Sequence, residues 1–132
     1  MKDLVSIAFI NDIYDKDFSV LDILVKLEYG IVDECEKLNY ELLIYNNARE
    51  NNILERLYLT GEYKKFKGVL CLPKNIKSFE ILKKMSADVV CVTLLDYNTD
   101  FVSNYVMSDD KHAFSAMIDH LYQHGYNKIG FF

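Results

Sequence analysis

Five short, almost wholly apolar runs, spaced along the chain by helical or polar stretches, constrain the fold more than any other feature. They are LVSIAFI at 4–10, YELLIY at 40–45, GVLCL at 68–72, DVVCVTL at 88–94 and KIGFF at 128–132. A strand with one wet face alternates apolar and polar residues; near-continuous runs belong to strands covered on both faces. The intervening stretches carry the other period. Val20, Leu24, Leu27, Ile31, Cys35 and Leu38 recur every three or four residues, the stripe of an amphipathic helix that Asn39 can end in a left-handed cap. Ile53, Leu54, Leu57 and Tyr58 mark a second helix, closed or kinked at Gly61, and residues 76–85 a third after Pro73 stops the third strand. Ser108-Asp109-Asp110 is a helix start, and that last helix runs to His124 before Gly125 caps it.

Strands alternating with helices predict a parallel sheet with helices on both faces. Right-handed crossovers then favour a doubly wound, five-stranded α/β sheet in the order 2-1-3-4-5. The similar passages CEKLNYELLIY and LYQHGYNKIGFF both run helix, Asn or Gly, Tyr, strand, a shared helix-to-strand loop rather than a repeat.

The 132 residues suit a single domain spanning 1–132, with one proline and no Gly/Ser-rich linker to divide it. A net charge of −5 opposes a nucleic-acid grip by this segment alone; the one basic cluster, Lys64-Lys65-Phe66-Lys67, reads as a solvated helix end. No apolar stretch approaches the roughly 20 residues of a membrane span, and the N-terminus lacks a secretory apolar segment. Three cysteines in apolar patterns, without metal-type spacing, are expected to be reduced, buried thiols of a cytoplasmic protein.

In open parallel sheets ligands bind beyond the carboxyl ends of the strands. The loop after the first strand, NDIYDKDF at 11–18, offers Asn11, Asp12, Tyr14 and Phe18: acceptors for hydroxyls and flat rings for the apolar face of a sugar or base. The alternative is a surface turn whose Asp residues make local hydrogen bonds. Asp96 follows the fourth strand, and Asp109 opens the last helix, where capping and ligand contact are compatible roles. His120 and His124 have the spacing of a two-point metal clip without a third ligand, so no metal is expected. Nucleophile elbows, Cys-His signatures and phosphate-cradling glycine loops are all missing, which predicts binding without catalysis or cofactor.

The stretch SDDKHAFSAMIDHLYQHGYNKIGFF resembles a recurrent segment of the LacI/GalR transcriptional regulators through Asp109, Ala113, His120-Leu121, Gly125 and Lys128-Ile129-Gly130. LVSIAFIND resembles that family's first strand, YGIVDECEKLNYELLIYN its first helix and second strand, and FKGVLCLP its third strand. The resemblance spans essentially the whole chain. It implies the N-terminal, flavodoxin-like lobe of a type I periplasmic-binding-protein-like effector domain, with a small sugar-like effector held between two lobes. It also implies a homodimer, and DNA binding only through a headpiece outside this chain. Asp109 matches the family's acidic position facing the effector, and the loop 11–18 its cleft loop. With the final run taken as the fifth strand, a second lobe is expected to follow it. Three positions depart from the pattern and bear on the effector's identity. Asp22-Ile23-Leu24 stands for a Pro-Phe-Phe-like start of the first helix, Gly125-Tyr126 for Gly-His, and Leu95-Asp96 for an Asp-Arg pair.

Two other α/β modules share this sheet order. A phosphoacceptor receiver domain needs acids after the first strand and a Thr after the fourth, which Asn11-Asp12 and Thr93 partly supply. It also needs an Asp ending the third strand, where Pro73 stands. A flavodoxin-like electron carrier needs a hydroxyl- and glycine-rich phosphate loop, and NDIYDKDF would repel a phosphate.

Overall fold

The computed structural model describes residues 3–13, 21–46 and 52–130. Its elements are β1 (Ser6–Asn11), α1 (Leu21–Lys37), β2 (Glu41–Asn46), α2 (Ile53–Leu59), β3 (Gly68–Leu72), α3 (Ile76–Met85), β4 (Val90–Leu94), β5 (Tyr105–Val106) and α4 (Asp110–Gln123). A single 3-10 turn, Glu62–Lys65, lies between α2 and β3. The sheet is parallel throughout, in the order β2-β1-β3-β4-β5.

Three of the continuous apolar runs, β1, β3 and β4, form the middle of the sheet, and their side chains divide between two cores. Ala8, Ile10, Val69, Cys71 and Cys91 point to one face, where Leu54 and Leu57 of α2 and Phe79, Leu82 and Met85 of α3 cover them. Phe9, Leu72 and Leu94 point to the other, against Leu24, Leu27 and Ile31 of α1. Burial on both faces is why the strands show no polar alternation. Asn39 ends α1 as expected, at φ 56°, with the Tyr40 N–H returning to the Cys35 carbonyl at 2.8 Å. Gly61, at φ 71°, closes α2 and opens the 3-10 turn.

The fifth strand is not the one expected. The run at 128–132 is exposed and unpaired through residue 130, with 131 and 132 outside the described residues. The edge beside β4 is taken instead by Tyr105 and Val106, opposite Thr93 and Leu94. The backbone ladder decides this placement: the Thr93 N–H donates to the Asn104 carbonyl (3.1 Å) and the Leu95 N–H to the Val106 carbonyl (2.9 Å). The Asn104 side-chain amide extends the pairing by donating to the Cys91 carbonyl at 3.4 Å, giving the sheet edge a partner where no strand runs.

Helix α4 is also placed differently from a helix of a doubly wound layer. It buries no residue, and only Leu121 is half-covered. The sheet is therefore covered by α1 on one face and by α2 and α3 on the other, with α4 outside both layers.

Candidate functional site

The carboxyl ends of the strands bring together two separate groups of polar residues. At the end of β1, Asn11 and Asp12 are nearly buried, 8% and 7% exposed. Asn11 is committed to the fold. Its carbonyl accepts the Ile13 N–H (3.1 Å), and its amide donates to the Asn46 side chain at the end of β2 (3.4 Å). Asp12 accepts the hydroxyl of Ser78 on the first turn of α3.

Ser78 in turn accepts the backbone N–H groups of Lys74 (3.0 Å) and Asn75 (3.3 Å). The Asn75 side chain accepts the N–H groups of Lys77 and Ser78, completing a reciprocal capping box. A carboxylate thus sits on a well-satisfied helix N-terminus, where the helix dipole favours negative charge. Asp12, Asn52, Glu55, Lys74 and Ser78 line a hollow of about 50 Å³ there, room for water but not for a sugar ring.

The second group lies at the β4–β5 corner. Leu95 adopts φ 62°, a left-handed conformation costly for a leucine, as the chain leaves β4. Asp96 is exposed and accepts the N–H of Tyr97 at 2.8 Å. The rings of Tyr97 and Tyr105 stack at 4.8 Å between centroids, 24° from parallel. Together with Met107, Ser108, Asp109 and Lys111 they line an open cleft of about 460 Å³. Asp109 caps α4 by accepting the His112 N–H at 3.0 Å, the capping role the sequence suggested.

Of the six residues nominated from sequence, Asn11 and Asp12 belong to the first group and Asp96 and Asp109 to the second. Tyr14 and Phe18 lie outside the described residues. No described hollow contains residues of both groups. Sequence reasoning missed Ser78, although the Asn75-x-x-Ser78 spacing of a capping box was there to be read. Tyr97 and Tyr105 carried no signal, since irregular chain separates them.

Other chemistry finds little support among the described residues. No cluster of three or more His, Cys, Asp or Glu side chains could hold a metal. His120 and His124 are adjacent, with the His124 Nδ1 2.8 Å from the His120 carbonyl. All three cysteines are free and buried. Burial pushes the Cys71 thiol well above its usual range, with Asp12 and Cys91 adding to the effect, so it is a neutral thiol and no nucleophile. Where a receiver domain would carry its acceptor Asp, Leu72 and Pro73 are buried. At the opposite, amino end of β4 a further hollow of about 370 Å³ is lined by Asp88, Val90, Phe101 and Asn104. No helix among the described residues is long and apolar enough to cross a membrane.

No protein-family model and no curated protein sequence matches the chain. Solved structures do. A LacI family transcriptional regulator, CCPA from Weissella paramesenteroides with bound sucrose, aligns over 92% of this chain and 42% of its own, with a TM-score of 0.65 and 17% identity. The same regulator with bound glucose gives 0.64 at 15% identity over the same shares. A sugar ABC transporter structure from Yersinia enterocolitica subsp. enterocolitica gives 0.61 at 15% identity, over 92% and 38%.

The chain shares the fold of part of each of these structures. It spans about two-fifths of the length of the structures it matches. At such identities the likeness is one of fold, and it agrees with the five-stranded 2-1-3-4-5 order reached from sequence.

Proposed function

We propose that this chain is one lobe of the effector-binding domain of a LacI-type transcriptional regulator, and that its carboxyl strand edge forms one wall of a cleft for a sugar-like metabolite. The observation that carries the reading is the fold shared over 92% of the chain with a sugar-bound regulator. The ordered residues from Asp109 to Gly130 add to it. The Tyr97–Tyr105 stack beside Asp109 is suited chemically to such a ligand, with aromatic faces for C–H groups and a carboxylate for hydroxyls. Asn11, Asp12, Tyr14, Phe18 and Asp96 complete the proposed wall, with Asn11 positioning the loop rather than touching ligand.

A second lobe then supplies the opposite wall. Effector binding closes the two lobes and shifts the population of cytoplasmic homodimers whose headpieces, outside this chain, grip DNA. The domain binds its ligand and transforms nothing. One wall makes only part of the contacts of a closed cleft. Calorimetry of the 132-residue chain with sucrose and with glucose should therefore give dissociation constants of about 1 mM or weaker. Submicromolar binding to this chain alone would contradict the one-lobe reading.

A further inference from the structure

Among the described residues, Asn39, Asn52, Gly61, Gly125 and Leu95 have a positive φ. Glycine and asparagine enter the left-handed region readily, whereas the Cβ of a leucine meets a steric penalty there. Leu95 sits at φ 62° and is 46% exposed, so burial of its side chain does little to offset that cost. Such a conformation persists only where the surrounding structure fixes it. The fixing contact here is the ladder bond from the Leu95 N–H to the Val106 carbonyl, 2.9 Å. We propose that Leu95 is a positioning residue: its left-handed backbone sets the direction in which the chain leaves β4 and thereby holds the Tyr97 ring on Tyr105.

The two rings of that stack are held very differently. Tyr105 lies opposite Thr93 in β5, between the Asn104 and Val106 carbonyls that the β4 ladder engages. Tyr97 belongs to no strand or helix. Its N–H goes to the side chain of the adjacent, exposed Asp96. The next tie to the fold is Asn98, whose carbonyl accepts the N–H groups of Phe101 and of buried Val102, each at 3.0 Å. The stack at 4.8 Å between centroids therefore depends on the angle at which residue 95 turns the chain back. A glycine at 95 would adopt the same φ without strain, but it would also open neighbouring regions and let Tyr97 swing. Leucine, held in the small left-handed well, has no such latitude. The strain costs stability and fixes an aromatic platform on the wall of the cleft of about 460 Å³. That the platform receives the apolar face of a sugar-like ligand rests on the effector reading; that Leu95 sets the ring pair does not.

Leu95→Gly and Leu95→Asn are compared with the parent chain by urea unfolding and by proton NMR of the tyrosine rings, without and with glucose. Both variants should fold with a midpoint at or above that of the parent, since each relieves the strain. In the parent, the Tyr97 and Tyr105 ring protons should be shifted by each other's ring currents and give cross-ring Overhauser effects. Leu95→Asn should keep these signals, because asparagine tolerates the left-handed region yet retains a restricting side chain. Leu95→Gly should weaken them. With glucose, the dissociation constant should rise about threefold or more in Leu95→Gly and stay within about twofold of the parent in Leu95→Asn. A Leu95→Gly chain with the ring signals of the parent overturns the proposal whatever its midpoint, since the turn then needs no leucine. Absence of glucose shifts in all three chains would remove the effector reading and leave the ring comparison to decide the role of Leu95.

Discussion

The hydroxyl of Ser78 donates to the carboxylate of Asp12, tying the N-terminus of α3 to the carboxyl end of β1 across 66 residues of sequence. The same oxygen accepts the N–H groups of Lys74 and Asn75, so one small side chain satisfies three groups at the edge of the sheet. Removing it leaves a nearly buried carboxylate without this donor and two backbone N–H groups without this acceptor. Ser78→Ala should therefore cost about 2–3 kcal/mol in urea unfolding. A loss under about 0.5 kcal/mol would mean that water replaces the hydroxyl freely.

On the other end of the sheet, the phenol of Tyr63 donates to Asp88. That hydrogen bond, helped by burial and the nearby negative charge, pushes the Tyr63 pKa from 10.0 up to about 12. A raised pKa on an acid means that the folded state favours the protonated form. The contribution is complete below the unfolded value of 10.0 and disappears as pH rises to about 12. Denaturation midpoints should fall more steeply over that alkaline interval in the parent chain than in Tyr63→Phe. Parallel slopes would show that the bond does not govern this titration.

Thr93 sits wholly buried in β4, and its hydroxyl has no hydrogen-bond partner among the described residues. Replacing it by valine keeps the branched shape and removes a desolvated polar atom. Thr93→Val should be stabilising by about 1 kcal/mol. A destabilisation of similar size would show that the hydroxyl has a partner in solution.

What the sequence made legible follows from where each signal resides. The strands β1, β3 and β4 were readable because burial on both faces writes itself as an unbroken apolar run, β2 because its apolar residues pack half-buried at the sheet edge, and α1 because its stripe contacts the Phe9 core. Two residues, Tyr105 and Val106, are too few to carry any period, and both are exposed. Their strand state is set by the ladder to Thr93 and Leu94, a tertiary fact that no local pattern records. The run at 128–132 has strand composition, yet composition cannot say which sheet, if any, will pair with it. The last helix was readable from its Ser108-Asp109-Asp110 start and its Gly125 cap, signals that are silent about what it packs on. Asp12 and Asp109 were legible as sheet-edge acids because an acid just after a strand or just before a helix lies where helix N-termini and caps are held, as the Ser78–Asp12 bond and the Asp109 cap of α4 show. Ser78 was overlooked because a serine matters there only through the geometry of its three partners.

The central claim is that a sugar-like ligand meets this lobe at the carboxyl ends of its strands. It is tested most directly by amide NMR of the 132-residue chain titrated with sucrose and glucose into the tens of millimolar, roughly ten times the dissociation constant expected of one wall. Fast-exchange shifts grouped at Asn11, Asp12, Tyr97, Tyr105 and Asp109 are expected. Shifts confined to the amino-end hollow around Asp88 and Phe101, or none with either sugar, would contradict it.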